Sequence, residues 1–157
     1  MPLLPTTPGV AIGWLKTLAL PGVASKLPKL EAWPVYNGTI RGFVTVDVVG
    51  TAGRASNTGA TARDTPMRTP ILSVGTWAAV PNSDNPQVGA ANQLAEVIVD
   101  AVYASPFPPV RLRQSASYDY ALVQSAGLIS EPREVQDPDA SVAHFITEIS
   151  LYWTRQA

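Results

Sequence analysis

Residues 50–69, GTAGRASNTGATARDTPMRT, hold only one apolar side chain larger than alanine, Met67. They lie between two segments that read as strands, IRGFVTVDVV at 40–49 and PILSVGTWAAV at 70–80. Any fold must therefore pair its strands around a connection that adds nothing to a core. Compact domains rarely keep a connection of this length without structure, and such a loop is usually functional or disordered. Arg54, Arg63 and Arg68 are spaced along it. A loop that cannot bury itself and carries three cations points to contact with another chain, and so to an assembly protein rather than an enzyme.

At 157 residues the chain fits one domain, 1–157, which would bury roughly two-thirds of the surface exposed when unfolded. The formal net charge is −1, so the whole chain does not steer toward DNA or an anionic membrane. Charged residues make up 15%, against about a quarter in ordinary globular domains. Two readings stay open: neighbours cover much of the surface, or the composition is simply rich in Pro, Ala and Thr. The absence of cysteine excludes disulfides and thiolate metal sites, and His144 is the only histidine. No cofactor or metal is expected. The start, MPLLPTTPGV, lacks a basic segment and is broken by Pro2, Pro5 and Pro8, unlike a signal peptide. No stretch approaches the roughly twenty apolar residues of a membrane span. The expectation is a soluble chain made in a cytoplasm, without a membrane partner.

Thr7-Pro8 reads as a helix cap with proline at the first position, and Val10, Ala11, Trp14, Leu15 and Leu18 form an apolar stripe. This predicts a helix over 8–19, stopped by Pro21-Gly22. Residues 23–39 contain two prolines and an Asn37-Gly38 turn signal, which predicts a short edge strand and a hairpin into strand 40–49. In that strand Ile40, Gly42, Val44, Val46 and Val48 form the better core face. Strand 70–80 has no clearly polar face, as expected for a strand covered on both sides. A second helix is predicted with Asn85 as cap, Pro86 first, and a buried stripe of Val88, Ala91, Leu94, Ala95, Ile98 and Val102. VRLRQSAS at 110–117 alternates as a ribbon that residues 118–130 continue after a bend. An acidic hairpin loop is expected at 131–141 and a long final strand at 142–154. The order is α, β, long loop, β, α, β, acidic loop, β.

Phosphate-binding glycine loops and nucleophile elbows are absent from the sequence. His144 and Glu148 share one face of the last strand, where an acid–base pair is conceivable; a structural histidine is the alternative. Glu131, Glu134, Asp137 and Asp139 carry carboxylates without calcium-loop spacing, and a solvated turn is the plain reading. The three loop arginines fit contact with an acidic protein surface, a DNA backbone, or plain disorder. The acidic 131–139 loop of a neighbouring copy is one such surface. Among the aromatics, Tyr118 and Tyr120 at the ribbon's end are the interface candidates, and most of the others suit a core.

The N-terminal helix with Trp14-Leu15, the β pair split by an insertion, the small-residue helix AANQLAEVIVDAVYA at 90–104 and the closing strand HFITEISLYW at 144–153 form a pattern. It resembles the tail terminator family of long-tailed bacteriophages, particularly those of actinobacterial hosts, over most of 8–154. The 50–69 insertion is longer than that pattern implies. The resemblance implies an α/β (α+β) fold, a small mixed or antiparallel sheet with two main helices on one face. It further implies a homohexameric ring, in the virion or assembling in the host cytoplasm. That ring caps the tail tube protein, stops tube polymerisation and meets the head–tail connector, with DNA passing through the channel. A neck stopper or tail tube subunit is the neighbouring alternative, and a small hydrolase using His144 and Glu148 the remote one.

Overall fold

In a computed structural model, residues 1–51 and 67–156 are described. Arg54 and Arg63 therefore lie outside the described residues, together with most of the loop that carries them. The described chain is α+β: two helices and seven strands joined in one mixed sheet.

Helix α1 spans Thr7–Lys16. Its cap is Thr6 rather than Thr7: the Thr6 hydroxyl accepts from the Gly9 N–H at 3.3 Å, which leaves Pro8 inside the first turn. Strand β1 (Val23–Ala24) and strand β2 (Val35–Asn37) flank a single 3-10 turn at Leu30–Ala32. The Asn37-Gly38 turn forms as expected. Gly38 takes a positive φ of 59°, which only glycine adopts freely, and β2 folds back antiparallel on strand β3, Ile40–Thr51. Strand β4 is Pro70–Ala79 and pairs antiparallel with β3.

Helix α2 spans Val88–Tyr103 and begins after Gln87, beyond the expected Asn85-Pro86 start. Asn85 instead sits in a turn, its N–H held by the Ser83 hydroxyl at 3.2 Å. The stripe Ala91, Leu94, Ala95, Ile98 and Val102 is buried as its spacing required. Strand β5 is only Val110–Leu112, and it turns back onto strand β6, Tyr120–Glu134, rather than running on into it. Because β6 extends to Glu134, Glu131 and Glu134 belong to a strand, not to the turn. Strand β7, Ala143–Gln156, closes the chain's order of elements.

The strand order is β1-β3-β4-β7-β6-β5, with β2 also on β3. The sheet curls so far that α1 touches β1 and β3 near one edge and β5 at the other. Bulges supply the curl. β3 carries one extra residue between Val48 and Gly50, and the pairing of β6 slips between Val123/Ser125, Leu128/Ser130 and Ser130/Arg133. Both helices lie on the concave face, over Val44, Val46, Leu72, Val74, Val123, Ile149, Leu151 and Trp153. On the opposite face, among the described residues, one end is covered, where Trp33 packs on Phe43 and Ala79. Among the described residues no helix is long and apolar enough to cross a membrane.

Candidate functional site

Two ends of the β6–β7 hairpin carry the sequence-derived interface residues, and they differ in charge. At the β5 end, Arg111 of the strand and Arg113 just beyond it both lie over the ring of Tyr120, at 3.5 and 4.7 Å from its centre. The ring's negative face attracts both guanidiniums. Arg111 Nε donates to Gln156 Oε1 at 2.8 Å, and Arg113 donates to the carbonyls of Tyr118 and Ala116 at 2.7 and 2.9 Å. Tyr118 is thereby part of a tight turn and is half-buried, with its backbone also bridged to Leu3. Beside it Arg155 forks onto the buried carboxylate of Asp119, at 2.8 and 2.6 Å. Arg155 is therefore neutralised, whereas neither Arg111 nor Arg113 has a carboxylate within 4.0 Å among the described residues.

The opposite end is acidic. Glu131 accepts from the Tyr103 hydroxyl at 2.9 Å, and this bond, with the charges of Glu131 and Glu96, raises the tyrosine's pKa. The turn beyond β6 is shaped by its own carboxylates. Asp137 accepts from the Asp139 N–H at 2.9 Å, and Asp139 accepts from both the N–H and hydroxyl of Ser141. Those bonds favour the ionised form and hold the Asp139 carboxyl below its ordinary pKa. The local cation, Arg133, faces Glu148 at 3.8 Å.

His144 and Glu148 do not form a pair. Four strand residues span about 13 Å, and each side chain has another neighbour. The His144 ring stacks on Trp77, centroids 3.5 Å apart and 11° from parallel, while Glu148 faces Arg133. Trp77 in turn donates to the Thr45 hydroxyl at 3.1 Å. A side chain at Gly75 would intrude on this group, since a Cβ there would sit 2.6 Å from Thr45 Oγ1 and 3.0 Å from His144 Nε2. Burial lowers the His144 pKa, with the Asp137 charge pulling weakly the other way.

Arg68 is the one loop arginine among the described residues. Its backbone bridges Trp153, and its guanidinium lies 5.6 Å from the indole centre. It lines a shallow cleft with Thr7, Val48 and Gly50, at the part of β3 beyond Thr45 where no further strand pairs on the outer side among the described residues. Val48 and Val49 are exposed there. A second cleft of about 400 Å³ runs between α1 and β5, past Gly9, Gly13, Leu112 and Gln114. No group of three or more metal-ligating side chains occurs among the described residues.

Reading the sequence missed Arg111 and Arg113 as site residues. Their alternation in VRLRQSAS was visible, but their meeting with Tyr120 depends on β5 folding back onto β6. Comparison of the chain with protein-family models and with curated proteins gives no match.

Proposed function

We propose that this chain is a structural virion protein, a tail terminator whose ring caps the tail tube and joins it to the head connector. One observation carries the reading. The open sheet ends in two unlike edges, the distal half of β3 with exposed Val48 and Val49 on one side and the short β5 with its arginines on the other. A ring is built from heterologous contacts, in which one patch meets a different patch of the next copy. A subunit with two unlike borders, uncovered among the described residues, suits that role. The partners in this reading are further copies of the chain, the tail tube protein and the connector.

Light-scattering mass and negative-stain images of the purified chain test it. The expected result is closed rings near about 100 kDa, six times the 16.6 kDa chain, that add to tube ends. Long tubes formed by the chain alone identify a tube subunit instead, and a monomer that never joins tubes overturns the proposal.

A further inference from the structure

We infer that the Arg111–Tyr120–Arg113 platform receives the acidic end of the β6–β7 hairpin of a second copy of this chain, with Glu134 at the end of β6 and Asp137 in the turn beyond it. The inference rests on the ring reading and adds to its two sheet borders a charged contact between neighbouring copies. Both guanidiniums are already oriented by hydrogen bonds to Gln156 and to the 116–118 carbonyls, so little side-chain freedom remains to be lost on docking. Those bonds use Nε of both arginines and Nη2 of Arg113, leaving the other terminal nitrogens to meet carboxylates.

At the far end of the hairpin, Glu134 and Asp137 have no cation within 4.0 Å among the described residues, because Arg133 faces Glu148. The two ends lie at opposite ends of the 15-residue β6, up to about 46 Å of strand at roughly 3.3 Å per residue and less where its bulges bend it. No ion pair within 4.0 Å joins one end to the other among the described residues. Donor and acceptor surfaces thus lie at opposite ends of one subunit. Contact between copies is then head-to-tail, and it closes into a ring when the rotation closes. A nucleic-acid occupant is disfavoured, since the platform is one ring between two cations on a chain of net charge −1.

Paired charge reversals test this. R111E/R113E carries acid at both ends, and E134R/D137R carries base at both. Each alone is expected to raise the concentration needed for assembly at least tenfold, by light scattering, with the circular dichroism spectrum unchanged. An equimolar mixture is expected to recover the wild-type mass, because every contact between unlike variants is again complementary. Should either reversal disturb folding, R111Q/R113Q and E134Q/D137N report on the same contact, the amide oxygen introduced at position 137 still being able to accept from the Asp139 N–H.

Wild-type-like assembly of either reversal, or a mixture that stays dissociated, overturns the inference while leaving the ring reading intact. Failure of the wild type itself to assemble overturns both. Binding of a short DNA duplex that R111E/R113E abolishes with no change of mass also overturns it, in favour of nucleic acid.

Discussion

The two faces of the sheet are built to different standards. The concave face is sealed by α1 and α2: Leu72, Val74, Ile149 and Leu151 are wholly buried there and tolerate no gap. Much of the convex face is half-exposed, with Ser73, Ile146 and Glu148 in reach of solvent, and only the Trp33–Phe43–Ala79 end is capped. Stability therefore resides mainly on one side, and the other side is free to vary or to meet a partner. The exception on the convex side is the Thr45–Trp77–His144 group, which is half-buried but closes over Gly75 so that a Cβ there would have no room.

The largest effect is expected on the concave side. Leu72→Ala removes a fully buried side chain from beneath the helices and is expected to cost about 2–5 kcal/mol, read as a lower midpoint in urea. If the contrast between faces is real, Ile146→Ala, at the half-exposed position, costs clearly less; equal losses break it. Gly75→Ala tests the exception. The new methyl must displace Thr45 and the ring stack, and a loss of about 1–3 kcal/mol is expected although the residue lies on the convex face. A neutral outcome would mean that the stack yields freely.

A fourth substitution probes a flaw on the concave side. The Thr147 hydroxyl is buried without a hydrogen-bond partner among the described residues, and the neighbouring Thr76 hydroxyl is in the same state. Thr147→Val keeps the shape and removes the unpaired group, so stability is expected to rise by about 1 kcal/mol. The smallest effect is the pH response of His144. Its folded pKa lies below the ordinary value of 6.5, so the unfolded chain takes up the proton first. Its contribution is complete above pH 6.5 and is lost as pH falls through the folded pKa. Denaturation midpoints at pH 7.5 and 5.5 are expected to differ less in His144→Gln than in the wild type; identical differences remove His144 as the cause.

Most of the order of elements was legible from helical and strand periods, except that β5 and β6 read as one continuing ribbon. Five of the six residues of the expected α2 stripe are buried, Val88 being half-buried and Val99 joining them unforeseen, and Asn37-Gly38 announced its hairpin. Boundaries slipped where local chemistry offers two solutions: Thr6 and Thr7 both suit a cap, and Pro8 fits either of the first helical positions. The face assignments along β6 were not legible, because each bulge resets a period of two. Val49 and Ile129, both exposed apolar residues, sit at such slips, where alternation alone says nothing. The platform around Tyr120 was half-legible, since the tyrosine stood out while its arginines needed the fold to bring them to it. The pairing of His144 with Glu148 failed on distance, because a shared strand face does not bring residues four apart into contact.

The place of β7 has a consequence for synthesis on the ribosome. It is the last element in the order, yet it lies between β4 and β6 at the middle of the sheet. Until residues 143–156 emerge, β4 and β6 each present an open row of backbone donors and acceptors, and the apolar surface meant for the helices has only part of its support. The nascent chain thus cannot complete its fold piecemeal, and a product interrupted before Ala143 would leave two sticky borders with nothing between them. The subunit becomes competent in one late step, and the same step removes the edges on which premature strand pairing between growing chains would start.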